Sequence, residues 1–127
     1  MVQLDERLSA IAQLVLEAIS EKEAPCVVDV GCDHGQLTAY LLERSEKLCA
    51  IASDVSAPSL EKAKKLFAAK KFGERVRTVV ADGLGGIDRG VDVIVMAGMG
   101  AETILKIIRE GREKKLSRER GKNGLNK

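Results

Sequence analysis

Tryptophan is absent from the sequence, and the aromatic residues are only Tyr40, Phe67 and Phe72. Proteins that grip single-stranded nucleic acid without sequence preference stack bases on aromatic rings, so a binder of that kind is excluded. Any nucleic-acid partner has to be held in another way. Long apolar runs are missing too: the longest, residues 93–101, has nine residues, against the roughly 20 that span a bilayer as a helix. No membrane association is expected. An export signal would open with positive charge and an uninterrupted apolar stretch, whereas Asp5, Glu6, Gln13 and Glu17 occupy those positions, so a cytoplasmic location is expected. Cysteines are few: Cys26, Cys32 and Cys49 are odd in number and lack C-x-x-C or metal-ligand spacing. They read as reduced thiols buried as small hydrophobes, with no metal bound.

What is present fits one α/β domain, since 127 residues support a single core. Leu4, Leu8, Ile11, Val15 and Ile19 recur at helical spacing with charged and polar residues between them, which predicts an amphipathic first helix. Pro25 ends that pattern, and residues 26–30 read as a short buried strand closed by Gly31. A glycine-bearing turn, 31–35, leads into a second helix over 36–45. The unit then repeats. Residues 48–53 form a strand ending at Asp54, and Ser56 with Pro58 supplies the cap and first turn of a helix reaching about Lys71. A third strand covers 75–81 and a fourth 91–97, followed by a helix over 103–110. Nearly continuous apolar strands alternating with helices imply a Rossmann-like parallel sheet with helices on both faces and an extra N-terminal helix. In such folds ligands sit beyond the carboxyl ends of the strands.

Those ends are acidic: Asp29 and Asp33 flank the first turn, Asp54 follows the second strand, and Asp82 the third. A dinucleotide pyrophosphate wants bare backbone N–H groups from a G-x-G-x-x-G turn. Here the turn runs Asp29-Val30-Gly31-Cys32-Asp33-His34-Gly35, with an aspartate where the second glycine would be. Like charges about 4 Å apart repel by roughly 4 kcal/mol at an effective dielectric near 20. The charge pattern therefore disfavours NAD and favours the cationic sulfonium and ammonium of S-adenosylmethionine. Asp29 is expected near the ammonium, Gly31 and Gly35 where backbone approaches ligand, Asp54 at the ribose, and Asp82 with Gly83 at the adenine amino group, Leu84 packing on the base. Each has a structural alternative as a turn or cap residue, and a lone histidine such as His34 is more often structural than catalytic, only its place in the turn pointing to catalysis.

The stretches Val28-Asp29-Val30-Gly31-Cys32-Asp33-His34-Gly35, Ala81-Asp82-Gly83-Leu84 and Ala97-Gly98-Met99-Gly100, with Leu8 in the first helix, resemble the bacterial tRNA (adenine-N1)-methyltransferases that modify position 22. The resemblance extends from about Leu4 to Leu116. It implies a class I methyltransferase fold, S-adenosylmethionine as donor, tRNA as partner and adenine N1 as acceptor. It also implies a methionine loop at Asp29, Gly31, Asp33 and Gly35, a ribose site at Asp54 where the family usually has Glu, and an adenine site at Asp82. Gly98, Met99 and Gly100 would wall the entry of the target base. Asp33 and His34 are the catalytic candidates, Asp33 as a carboxylate facing the positive charge of the product.

Family members are longer, with further strands and a helical C-terminal domain. The expected sheet here is therefore partial, residues 1–111 with strands in the order 3-2-1-4, followed by a basic, unstructured tail over 112–127. Residues 109–127 hold eight basic and three acidic residues, a surplus of five positive charges in a chain of net +2. Two consequences are expected. Strand four becomes an exposed apolar edge open to homo-oligomer formation, and the missing strands weigh against turnover on tRNA. A small-molecule methyltransferase and a non-enzymatic cofactor-binding subunit are the alternatives.

Overall fold

The computed structural model describes residues 1–82, 90–99, 102–109, 112–117 and 125–126. Helix α1 (Glu6–Ile19) begins where Asp5 accepts the Leu8 N–H at 2.8 Å, satisfying one of the first-turn donors that a helix leaves unpaired. Its apolar stripe buries Ile11, Ala12, Val15 and Ile19. Strand β1 (Cys26–Val30), helix α2 (Gln36–Arg44) and strand β2 (Cys49–Asp54) follow. Helix α3 (Ala57–Ala69) starts from Ser56, whose hydroxyl accepts the Ser59 N–H, with Pro58 in the first turn. A short 3-10 turn, Gly73–Arg75, precedes β3 (Val76–Val80). The remaining strands are β4 (Val93–Met99), β5 (Glu102–Arg109), β6 (Arg112–Ser117) and β7 (Leu125–Asn126).

The sheet order is β3-β2-β1-β4-β5-β6-β7. The first four strands are parallel, with Val28 level with Ile51 on one side and Ile94 on the other. This is the expected 3-2-1-4 layer of a class I methyltransferase. Alternate residues separate two cores. Val27, Ala50, Ala52, Val93, Val95 and Leu105 pack with buried residues of α1, α2 and α3, while Val28, Val30, Ile51 and Ile94 form a second cluster on the other face. Helices were expected on both faces; the three described helices all belong to the first. Fully buried Leu41, Leu42 and Leu60 each contribute about 1.5–3 kcal/mol relative to exposure. Arg75 ties the α2 end to the start of β3, its guanidinium donating to the carbonyls of Leu42, Ser45 and Leu48. No described helix is long and apolar enough to cross a membrane.

Four expectations change. The helix placed at 103–110 is strand β5, antiparallel to β4 with Val95 opposite Leu105 and Val93 opposite Ile107. The reason lies in the residues: Leu105 and Ile107 are buried while Ile104, Lys106 and Ile108 are only half-buried, a period of two, and Thr103, Ile104, Ile107 and Ile108 are β-branched. A strand does therefore follow the fourth, and β4 is enclosed between β1 and β5. Its backbone donors and acceptors are used inside the sheet, so it is not the exposed edge through which association was expected. The chain expected as an unstructured tail holds β6, paired along its length with β5, and β7. Finally, Cys32 is buried, but Cys26 is half-buried and Cys49 exposed. Cys49 opens β2, where an outward-facing position meets water.

Candidate functional site

Asp29 stands in the middle of the sheet, level with Ala52 and Val95, and is only 3% exposed. One carboxylate oxygen accepts the Thr38 hydroxyl of α2 at 2.7 Å. Burial pushes this carboxyl up from 3.8 to about 7; the Thr38 bond opposes the rise and the charge of Asp54 adds to it. After Val30 the chain turns through Gly31, at φ +73°, and the N–H groups of Gly31 and Cys32 both donate to the Ser53 carbonyl, at 2.8 and 2.9 Å. The turn is thereby hooked onto the end of β2.

Asp33 holds a left-handed conformation, φ +55°, that a non-glycine residue seldom adopts. Its backbone N–H donates to Asp54 Oδ2 at 2.8 Å, while the other Asp54 oxygen accepts the Ser56 N–H at 2.9 Å. Asp54 thus braces the turn and the entry to α3 at once. The Asp33 side chain is exposed, with Oδ1 3.6 Å from His34 Nε2 and 3.5 Å from the Ser59 hydroxyl. Gly35 precedes α2 at φ +82°. A Cβ there would lie 2.8 Å from the Phe67 ring and 2.9 Å from Ala63, so glycine is required by the packing of this turn on α3. That demand is separate from any ligand.

These elements border a cleft of ≈ 250 Å³ lined by Asp5, Arg7 and Leu8 at the start of α1, Asp29, Gly31, Cys32, Asp33 and His34 along the turn, and Gln36 and Leu37 of α2. Burial, with the charges of Asp29, Asp54 and Asp33, holds the Cys32 thiol well above its ordinary range, which leaves it protonated and a poor nucleophile at neutral pH. Asp33 and Asp54 are joined by a hydrogen bond, and Asp29 lies close enough to feel the Asp54 charge. Asp54 supports the cleft from behind and is not among its lining. Asp82 is exposed and follows Ala81, whose N–H donates to the Asp54 carbonyl at 3.1 Å; this puts Asp82 beside the end of β2. Gly98 and Met99, expected in a loop beyond strand four, belong to β4, whose pairing with β5 shifts register between Met96 and Met99. Continued pairing with β5 accounts for the longer strand. Gly83, Leu84 and Gly100 lie outside the described residues.

Sequence reasoning missed Thr38, the only side chain bonded to Asp29 among the described hydrogen bonds, and the cleft-lining Asp5 and Arg7. Asp5 was legible as a helix cap three residues before Leu8. Thr38 had no signal, because its partner is set by how α2 lies over β1.

The donor set suits an S-adenosyl ligand. The carboxylates of Asp29 and Asp33 line the cleft, and each Asp54 oxygen has accepted one N–H and keeps a further lone pair. Comparison with known proteins agrees with this chemistry. The methyltransferase domain family model matches residues 4–120. The tRNA (adenine(22)-N(1))-methyltransferase of Bacillus subtilis is 27% identical over 120 residues, covering 94% of this chain and 48% of that protein. A Mycoplasma pneumoniae protein provisionally named a tRNA methyltransferase is 32% identical over 108 residues, covering 83% of this chain and 47% of its own length. The structure of M. capricolum TrmK in complex with S-adenosyl-homocysteine is similar with a TM-score of 0.59 and 26% identity, covering 75% of this chain and 41% of that one. The chain spans about half the length of the curated relatives it matches.

Proposed function

The chain belongs to the methyltransferase domain family, and from that premise we propose that it binds S-adenosylmethionine in the cleft at the end of β1 and directs methyl transfer to N1 of an adenine in tRNA, at position 22. The single observation that carries the cofactor reading is Asp29, a buried carboxyl lining the cleft. A ligand ammonium relieves the cost of ionising it, whereas a pyrophosphate adds to that cost. The acceptor is supported by the B. subtilis relative, which bears that name and covers nearly all of this chain.

S-adenosylmethionine, when bound, supplies an electrophilic methyl group. Asp29 meets the ammonium, directly or through water, with Thr38 fixing its carboxylate. Asp54 would hold the ribose hydroxyls through the lone pairs its two N–H bonds leave free. Asp82, with Gly83 and Leu84, receives the adenine of the cofactor. Adenine N1 has a free lone pair at neutral pH, so the protein's task is alignment of the acceptor and not removal of a proton. Gly98, Met99 and Gly100 border the entry of the base. Asp33, exposed at the cleft mouth with His34 beside it, stabilises the positive charge that the methylated base acquires. An Asp33→Asn protein that still binds cofactor is expected to turn over more slowly; an unchanged rate removes Asp33 from the mechanism.

Calorimetry separates the cofactors: S-adenosylmethionine is expected to bind and NADH not to. Incubation with a tRNA transcript and mass spectrometry of its nucleosides then tests for 1-methyladenosine at position 22. A second reading is a cofactor-binding subunit that turns over only with a partner chain. Turnover by the isolated chain excludes it.

A further inference from the structure

The cleft lies beyond the carboxyl ends of the strands, and at the opposite end of the sheet two thiols meet. Cys26 opens β1 and Cys49 opens β2, and the two are register partners in adjacent parallel strands. Register partners project to the same face, and neighbouring strands lie about 4.8 Å apart. A disulfide needs Cα atoms roughly 4.4–6.8 Å apart, so the pair stands within bonding reach. Strand alternation puts both residues on the face of Val28 and Ile51, and Cys26 packs against that cluster. Their backbones are held there. The Cys49 N–H donates to the Pro25 carbonyl at 2.9 Å, and the Asp92 N–H to the Cys26 carbonyl at 2.8 Å. The Cys26 N–H donates to Asp92 Oδ2 at 2.9 Å, while Lys22 Nζ lies 3.3 Å from the other Asp92 oxygen. Only side-chain rotation is left to bring the sulfurs together.

We propose that Cys26 and Cys49 form a dithiol modification site, which exchanges with small-molecule disulfides of the glutathione type and closes a reversible cross-link between β1 and β2. The inference is independent of the cofactor reading. Cys49 is exposed and Cys26 half-buried, so Cys49 is the thiol that a reagent meets first. Burial, with the charges of Asp92 and Cys49, holds the Cys26 thiol above its ordinary value, and Arg77 opposes the rise; Cys26 therefore waits as the protonated partner. The Cys49 thiolate attacks one sulfur of the reagent, whose S–S bond breaks, and one glutathione leaves as a thiolate and takes up a proton. Cys49 is then uncharged, which removes one of the causes that kept Cys26 protonated. Cys26 gives its proton to water, its sulfur attacks that of Cys49, and the second glutathione leaves. Two electrons have passed from the cysteine sulfurs to the reagent. Cys32, in the turn beyond the other end of β1, takes no part.

The test incubates the reduced whole chain with oxidised glutathione, quenches with acid and maps the tryptic peptides by mass spectrometry without reduction. Peptides 23–44 and 48–62 are expected to be joined with the loss of two hydrogens, and dithiothreitol to part them. The first peptide holds both Cys26 and Cys32, so fragment ions between those residues assign the bond to Cys26. Cys26→Ser is expected to stop at a mixed disulfide on Cys49. Cys49→Ser is expected to take up glutathione at Cys26 roughly tenfold more slowly than the parent does at Cys49, because the remaining thiol is half-buried and protonated. Equal rates overturn the order of attack. A mixed disulfide on Cys49 that persists in the parent, a bond to Cys32 or a link between two copies of the chain overturns the site, as does a parent in which both thiols stay free. The parent alone decides this, so the outcome does not depend on either variant folding.

Discussion

Asp29 couples the site to pH through a sign that differs from that of most carboxylates. Its folded-state value, about 7, lies above the ordinary 3.8, so between those pH values the native chain keeps a proton that the unfolded chain has released. Stability from this group is therefore full below pH 4 and is lost as pH rises toward 7, by on the order of 4 kcal/mol across the window. Urea denaturation at pH 5 and pH 7.5 is expected to show this decline, and Asp29→Asn to flatten it. On the proposed contact between Asp29 and the ligand ammonium, cofactor binding should run the other way, tightening as pH rises through 7; calorimetry over pH 6–8 checks it. Gly35 gives a second prediction at this scale. Gly35→Ala combines φ +82° with a Cβ 2.8 Å from Phe67, and a loss of about 2–4 kcal/mol is expected from left-handed strain and overpacking together, measured by the denaturation midpoint. The aspartates at the strand ends could be read from the sequence because each follows an apolar run. Their division of labour could not: that Asp54 braces Asp33, and that Thr38 rather than a charge holds Asp29, depends on contacts between residues 21 and 9 positions apart.

Among the elements, the strand at β5 is the instructive one. Residues 104, 105, 107 and 108 are all apolar, a spacing that satisfies a helix face as well as a strand whose two sides are both covered. Burial decides between them. Leu105 is 1% exposed and belongs to the helix-side core, so Leu105→Ala is expected to cost about 2–5 kcal/mol. Ile104→Ala, at a half-buried position on the other side of the strand, should cost clearly less. Comparable losses at both positions, measured by denaturant midpoints, would contradict the strand. Hydrogen exchange offers a check at one amide: the Ile108 N–H donates to the Asp92 carbonyl at 2.8 Å. The helices α1, α2 and α3 needed no such arbitration, since a cap, a proline or a glycine marks where each begins.

For the molecule as a whole, linkage gives the most direct measurement. A ligand at one hundred times its Kd adds about 2.7 kcal/mol to stability, which for a domain of this size corresponds to a Tm rise on the order of 10 °C. S-adenosylhomocysteine is expected to produce that shift, and no shift at saturating ligand would contradict the cofactor reading. Local sequence sufficed for the order β1-α2-β2-α3-β3-β4 and the acidic strand ends, because these follow from periodicity, caps and short apolar runs that carry their own instructions, whereas the 3-2-1-4 order of the parallel layer was implied by the family resemblance. Tertiary structure alone decided how the sheet continues and what the cleft contains. Strand pairing turned an ambiguous apolar segment into β5 and enclosed β4, since unpaired backbone donors beside an apolar strand find partners wherever the chain can reach. The tertiary arrangement likewise brought Asp5 and Arg7, at the start of the first helix, to the same cleft as Asp29, residues whose spacing in the chain carries no signal.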